Sequence, residues 1–378
     1  MILEAELPIA RIALDGTESE RLEEAIATQA DGSADRVALH ATVTRTYGAM
    51  TLTFYAALLL FVIGYGLNAP TLAAMVGEVY ERSGGRREAG YTLLLMAAML
   101  GFVIGALIAG TIASRMGWRE GLAATGVMML LSAITLMRTR LPSSKAAESI
   151  RSSGSSSRYS VALTRFERRR VVAICSICLA YLVFIAAFEQ WGGSFSLYVQ
   201  NTTDRVVAGF EIPTLWIHSA QALFVIIIGP IMLAIWSLLK RQGWDLLPPT
   251  KMAIGLLLTA LAFLVMSMTL PYRGGDLITK TSILWPLAYY WVVTFGQMAV
   301  IPIGQAFVSR EAPERLASTL MGAWALFGGV GIWVSGQIGA LAEPFGILAV
   351  YLGIAAGSAL AGVLALSLRK QTMGLLVE

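Results

Sequence analysis

The residue with the clearest potential for chemistry is Glu189, a lone carboxylate at the end of the long apolar run 171–188. Gln190, Trp191 and two glycines follow it directly. An ionised carboxylate at membrane depth is costly, so acids in apolar segments commonly bind protons or pair with ions. The adjoining Trp191 leaves a second interpretation open, in which Glu189 lies at the membrane–water interface. The pattern favours a proton or charge site.

Polar and aromatic side chains in other apolar segments are the next candidates. The amides of Gln221 and Gln297 can donate and accept hydrogen bonds, although amides also join neighbouring membrane helices. Trp216 and Trp324 offer aromatic faces, although tryptophan is common in membrane belts and in packing. His218 is interpreted as a packing residue rather than as a pH switch. These residues predict ligand contacts rather than catalysis.

The sequence contains no motif that indicates an enzyme, a metal or a cofactor. Cys175 and Cys178 form a CxxC within an apolar segment, but no second pair or histidine cluster completes a metal site. Buried apolar cysteines are therefore the preferred interpretation. There is no Walker A sequence, GxSxG or HExxH. We expect no catalytic residues and no cofactor.

The composition predicts an all-α integral membrane protein. Hydrophobic residues make up 56% of the 378 residues and charged residues 14%, against about a quarter charged in soluble domains. Apolar runs of roughly 20 residues suit helices that cross a bilayer. We predict about nine spans, near residues 51–78, 90–114, 119–138, 171–199, 212–239, 252–271, 281–307, 316–340 and 346–368.

The distribution of basic residues predicts the orientation. Lysine and arginine are concentrated after the first, third, fifth and seventh spans and in the tail, for example Arg86, Arg168, Lys251, Arg310 and Lys370. Basic connections stay on the cytoplasmic side, so we expect the C-terminus there. This bias explains the net charge of +4 without a nucleic-acid partner.

The chain divides into four predicted segments. Residues 1–48 are polar and acidic and carry no signal-peptide pattern, so their origin is open. Residues 49–139 would form a partial N-terminal helix bundle, and residues 140–168 a basic, Ser-rich cytoplasmic linker. Residues 169–370 would form a six-helix C-terminal bundle. Small residues in the second span, Gly101 and Gly105, predict a close helix contact.

Five motifs in order resemble the proton-dependent oligopeptide transporter family of the major facilitator superfamily. They are GYGLNAP (64–70), the stretch 87–101 with MGWREG (116–121), AFEQWGGSFSLYV (187–199), the stretch 212–258 with PTKMAIGLLL, and TFGQMAVIPIGQAFVSREAPERLASTLMGAWAL (294–326). The resemblance covers roughly residues 50–368. It implies two six-helix bundles around a central cavity and symport of protons with di- and tripeptides by alternating access.

The resemblance also implies roles for particular residues. Glu189 matches the seventh-helix acid that such transporters protonate. Gln221 stands where the family has an asparagine, and Gln297 stands where the family has a glutamate. Trp324 matches a tryptophan of the family's eleventh helix. With Trp216, these are the predicted substrate-binding residues. We expect Glu189, Gln221, Gln297 and Trp324 to face one cavity.

The N-terminal part departs from the family pattern. The first three helices, with an ExxER motif, have no counterpart in the chain. Where the family has a lysine in its fourth helix, this chain has Ala69. Where the family has an aromatic pair and an asparagine in its fifth helix, this chain has Leu94, Leu95 and Met99.

The sequence leaves two functions open. The first is a peptide/proton symporter in the bacterial cytoplasmic (inner) membrane. The alternative is a truncated or degenerate homologue that does not transport and acts as a structural or interaction protein, or has no function.

Overall fold

The computed structural model describes residues 33–80, 87–138, 163–207, 209–212, 214–269 and 280–376. The described residues divide into two compact units, with the boundary between Leu67 and Asn68. Residues 1–32 of the predicted N-terminal segment and residues 140–162 of the Ser-rich linker lie outside the described residues.

Helices dominate the described residues, and their bounds are as follows. The longer helices are α1 Ser33–Val79, α2 Arg87–Met116, α3 Trp118–Arg138, α4 Arg165–Phe188, α5 Ser194–Thr202, α6 Thr214–Arg241, α7 Pro248–Ser267, α8 Leu284–Glu311, α9 Ala317–Ala340 and α11 Ile347–Gly374, with a short α10 Ala342–Phe345. Two 3₁₀ turns, Glu189–Gly192 and Glu314–Leu316, lie between them.

Nine stretches of the described residues are long and apolar enough to cross a membrane. They follow the predicted spans in order, which confirms a multi-pass all-α membrane protein. The largest difference is at the fourth span, which begins at Arg165 rather than near residue 171. The polar residues at its start are helical because Thr164 and Glu167 form a capping box.

The fourth span is interrupted where a single helix was expected. Helix α4 ends at Phe188, the 3₁₀ turn covers Glu189–Gly192, and α5 starts at Ser194 after Gly193. At 1.5 Å per residue, the 24 residues of α4 extend about 36 Å, more than the ~30 Å hydrocarbon core. Glu189 therefore lies at the helix break, near the end of the span opposite the linker.

Two small strand pairs tie the connections together at that end. Strand β1 (Thr203–Asp204) pairs in parallel with β4 (Thr281–Ser282), with Thr203 opposite Thr281. Strand β2 (Val206–Val207) pairs antiparallel with β3 (Phe210–Glu211). The β1–β4 pair holds the segment after α5 against the segment before α8, whereas β2 and β3 form a small hairpin within the connection after α5.

The core of the second unit surrounds α7, which packs between α8 and α11. The approach of α7 to α8 depends on Gly255 and Gly296, because a Cβ on either glycine would lie 2.8 Å from the carbonyl oxygen of the other. Small residues at such crossings bring membrane helices into close contact. The rings that fill the nearby space are Phe195, Phe263, Tyr289, Tyr290 and Tyr351.

The predicted glycine contact in the second span is absent from the described structure. No atom of the described residues approaches within 4 Å of the position that a Cβ would take at Gly101 or Gly105. Helix α2 uses a different face, on which Leu95, Met96 and Met99 pack against a buried cluster. The members of this cluster on α6 and α8 are Val225, Ile228, Met232, Met298 and Ala299.

Candidate functional site

Glu189 occupies the first position of the 3₁₀ turn and is partly buried. Its Oε2 accepts a hydrogen bond from the indole Nε1–H of Trp191 at 3.0 Å. Because the turn tightens the backbone directly after α4, the tryptophan two residues later reaches back to the carboxylate. A charge-assisted bond of this kind fixes the orientation of the acid.

Gln190 anchors the turn that carries Glu189. Its buried amide nitrogen donates to the carbonyl oxygen of Ser335 at 2.9 Å and contacts the Ser335 hydroxyl at 3.0 Å. Its amide oxygen accepts a hydrogen bond from the Ser194 hydroxyl at 2.7 Å. The side chain thus joins α4, α5 and α9, so the position of Glu189 is set by three helices.

A polar network continues from the turn to α6 and α8. The Trp191 ring packs edge-on against the His218 ring, with their centroids 5.8 Å apart. The His218 Nε2 lies 3.1 Å from the Ser196 hydroxyl, and its Nδ1 bonds to the Tyr290 hydroxyl. Hydroxyls can either donate or accept, so both neutral and protonated imidazole can keep these two contacts.

The two predicted glutamines bind each other. The Gln221 amide nitrogen on α6 donates to the Gln297 amide oxygen on α8 at 2.7 Å. Gln297 is 2% exposed, whereas Gln221 is partly buried. The pair is therefore a polar contact between two helices, and Gln221 is the partner on the more accessible side.

Trp324 and Trp216 lie in contrasting environments. The Trp324 ring, 3% exposed, stacks on the Tyr181 ring with centroids 3.8 Å apart. Gly304 on α8 permits this position, because a Cβ there would overlap the indole ring. Trp216 is 57% exposed at the start of α6, where an indole suits the membrane interface.

Within the described residues, no direct hydrogen bond joins Glu189 to the glutamine pair, and Trp324 takes part in a separate stack. That these residues face one cavity stays a prediction, as do their binding roles.

The buried, hydrogen-bonded position of His218 agrees with its interpretation as a packing residue, but sequence reasoning did not identify its partners Ser196 and Tyr290. A histidine in an apolar span was the only signal available. Its two hydroxyl partners are 22 and 72 residues away in the chain, so the sequence alone does not associate them.

Three positions of α2 at which the chain departs from the family pattern are packing positions. Leu94 packs against the main core cluster, and Leu95 and Met99 pack against the smaller cluster between α6 and α8. The apolar replacements therefore hold α2 against the C-terminal helices.

Charge pairs gather away from Glu189. The ion pairs of the described residues are Lys240–Asp245, Lys251–Glu88, Arg310–Glu311 and Arg315–Glu167. All of them lie at the helix ends next to the connections predicted to be cytoplasmic. The searched part of the chain contains no group of three or more His, Cys, Asp or Glu residues that could hold a metal ion.

Sequence comparison decides the family. The POT family model matches residues 26–150 and 139–350. The chain belongs to the POT family. The match includes the stretch with Glu189, both glutamines and Trp324.

Two curated POT relatives illustrate the similarity. The peptide transporter YePEPT of Yersinia enterocolitica is 26% identical over 345 residues, which are 76% of this chain and 68% of the relative. The di-/tripeptide transporter of Lactococcus lactis subsp. cremoris is 23% identical over 359 residues, with coverage of 79% and 71%. These similar proteins are transporters.

Solved structures agree on the POT fold. A crystal structure of a peptide transporter POT in complex with sulfate superposes with a TM-score of 0.67 at 22% identity, over 85% of this chain and 75% of that one. A POT family transporter in complex with 5-aminolevulinic acid gives a TM-score of 0.61 at 18% identity, with coverage of 84% and 76%. These similarities confirm a major-facilitator-type bundle.

Proposed function

We propose that this POT family protein moves di- and tripeptides together with protons by alternating access. The observation that carries the proposal is the placement of Glu189, a partly buried carboxylate at the helix break of a family transporter. The similar proteins from Yersinia and Lactococcus, which are named for peptide and for di-/tripeptide transport, support the substrate class. The alternative of a non-transporting homologue has no support in these comparisons.

Glu189 is the proposed proton site. Its Oε2 accepts the Trp191 N–H, so an incoming proton goes to Oε1 and the indole contact is kept in both states. Gln190 holds the turn in place, which keeps the acid positioned while its charge changes. Protonation removes a charge from an apolar setting and so makes movement of the surrounding helices less costly.

The glutamine pair and Trp324 are the proposed substrate contacts. Amides can hydrogen-bond the backbone of a peptide of any sequence, which suits a carrier of many small peptides. In this proposal Gln221 exchanges its bond to Gln297 for one to the peptide. In this proposal the Trp324 ring lines the binding site, and Trp216 contacts the ligand from the first turn of α6.

The proposed setting is the bacterial cytoplasmic membrane with the C-terminus inside. The basic connections support this orientation. The lipid bilayer is the solvent for the helices, and protons and small peptides are the partners. We propose no enzymatic activity, because the chain carries none of the catalytic motifs considered above.

Uptake by purified protein in proteoliposomes tests the proposal. We expect labelled dialanine to accumulate when the outside is acidic and to equilibrate only when no gradient is present. In the Glu189→Gln variant, gradient-driven accumulation should be lost while exchange of peptide across the membrane persists, because an amide cannot carry the proton. Glu343→Gln is the matched control, since Glu343 is exposed on the short helix α10.

Two results would contradict the proposal. Monodisperse wild-type protein that takes up no peptide under either condition would exclude transport by this chain. A Glu189→Gln variant that accumulates peptide as the wild type does would exclude Glu189 as the coupling site.

A further inference from the structure

A partly buried ion pair joins helices from opposite sides of the Ser-rich linker. The Lys251 Nζ on α7 lies 2.6 Å from the Glu88 Oε2 on α2, although the residues are 163 positions apart. Helix α2 precedes the linker and α7 follows it, so this contact holds an N-terminal helix against the C-terminal bundle. Neither residue belongs to the site around Glu189.

Because the pair is partly buried, the stability of each charge depends on the presence of the other. Lys251 is 8% exposed, and the Glu88 side chain is 26% exposed. The Lys251 ammonium also lies 5.3 Å from the centre of the Trp236 ring, which attracts a cation. A charge this buried is stable only while it is paired, so removal of one partner strongly penalises the closed contact.

Two further contacts lie near the ion pair, one between α1 and α2 and one between α1 and α8. The Tyr91 hydroxyl, one turn from Glu88 on α2, donates to the Ala73 carbonyl oxygen at 2.8 Å. A Cβ on Gly77 would overlap the Ser309 hydroxyl on α8 and would lie 3.0 Å from the Tyr91 hydroxyl. The C-terminal ends of α1 and α8 and the N-terminal end of α2 are therefore in close contact here.

This closed contact lies at one end of the molecule. Residues 81–87 and 241–251 carry basic residues and form connections that the sequence predicts to be cytoplasmic. At the opposite end, the described contacts include neutral pairs, such as Tyr198 with Thr269 and Thr281 with the Thr202 carbonyl oxygen, and a bond from the Arg205 guanidinium to the Ile212 carbonyl oxygen within one connection. The ion pair across the linker lies at the predicted cytoplasmic end.

We infer that Glu88 and Lys251 form a cytoplasmic latch, which closes the inner end of the transport path and must open in each cycle. The inference rests on the proposed transport function. Alternating access requires two groups of helices to separate at one end while they stay in contact at the other. When the latch opens, water reaches both charges and replaces the lost partner. The pair therefore favours the closed state without preventing the open one.

Labelling of a cysteine at the closed contact tests the latch without a measurement of transport. In a Cys175→Ala, Cys178→Ala background, Ser309→Cys should react slowly with a maleimide while the latch is closed. Glu88→Gln and Lys251→Gln should each raise the labelling rate at least about fivefold, the lower end of typical coupling between two states. The charge swap of Glu88→Lys with Lys251→Glu should restore slow labelling, which distinguishes a latch from general loss of folding.

The matched control is the Lys240–Asp245 pair at the same end. Its side chains are 68% and 69% exposed and lie on one side of the linker. Lys240→Gln and Asp245→Asn should leave the labelling rate unchanged. If Glu88→Gln and Lys251→Gln behave like these controls, the latch does not exist.

Cross-linking then connects the latch to transport. Glu88→Cys with Lys251→Cys, bridged by a short bis-methanethiosulfonate reagent, should lose uptake and regain it when a thiol reductant cleaves the bridge. Unimpaired uptake by the bridged protein would overturn the inference. Absence of uptake from the unbridged parent would instead contradict the proposed function, while the labelling experiment would still decide on the latch.

Discussion

The helices before and after the Ser-rich linker differ in how they are held. Helix α3 exposes apolar side chains along most of its length, including Leu122, Leu130 and Met137. Helices α7 and α8 after the linker are buried over most of their surfaces. In a bilayer, lipid is as apolar as leucine, so exposure of this kind carries little penalty.

The comparison shows that α2 is held through one face, which combines polar contacts with apolar packing, rather than by burial all round. Helix α2 has one packed face, with the Glu88–Lys251 ion pair, the Tyr91 hydrogen bond and Met96 against Gly229. The C-terminal helices interlock through glycine crossings and aromatic rings. Three substitutions test this difference, from the largest expected effect to the smallest.

Gly255→Val should have the largest effect because it enters the tightest crossing of the C-terminal bundle. A Cβ there would lie 2.8 Å from the Gly296 carbonyl oxygen and 2.6 Å from a methyl of Val300. Backbone cannot yield easily, so we expect a loss of about 3 kcal/mol or more and a much reduced folded yield. Size-exclusion chromatography and thermal unfolding in detergent measure this effect.

Gly101→Val is its counterpart before the linker. No described atom lies near the position of its new side chain, so stability should change by less than about 0.5 kcal/mol. Equal losses in the two variants would refute the difference between the regions.

Gln190→Ala should have an intermediate effect, because it removes the side chain that joins α4, α5 and α9. The Ser335 and Ser194 hydroxyls would lose their partner, which costs about 1–3 kcal/mol when such groups are buried. A lowered unfolding temperature is the measurement. Gln200→Ala, at an exposed position on the nearby α5, should leave that temperature unchanged.

Of the three substitutions that alter a packed contact, Gly229→Ala should have the smallest effect, at the contact between α2 and α6. The new Cβ would meet the Met96 sulfur at 2.6 Å, but methionine is flexible and can repack. We expect a change of less than about 1.5 kcal/mol. If Gly229→Ala were as damaging as Gly255→Val, the contact of α2 would be as rigid as the C-terminal core.

The spans could be predicted from the sequence because they follow from local features, whereas the role of Glu189 stays a prediction. Hydropathy located nine spans, and the residues after Glu189 marked an unusual end to an apolar run. The partners that set the site could not be predicted in this way. Gln190 meets Ser335 across 145 positions, and Lys251 meets Glu88 across 163.

The prediction of a helix contact from glycine spacing was wrong, because tertiary contacts determine which face of a helix packs. Gly101 and Gly105 have the spacing of a helix contact, but the contacting face of α2 carries Leu95, Met96 and Met99 instead. The spacing of small residues shows that a close approach is possible, and only the neighbouring helix determines whether it occurs. His218 illustrates the same limit, since its hydroxyl partners come from two other helices.

The first turn of α4 has a mechanical consequence for the site. Glu167 caps the helix through Thr164, and its carboxylate also binds the Arg315 guanidinium at 3.0 and 2.6 Å. The base of the helix is thus joined to the segment that precedes α9. The start of α4 is therefore held by a contact with the C-terminal bundle as well as by its connection to the chain before Thr164.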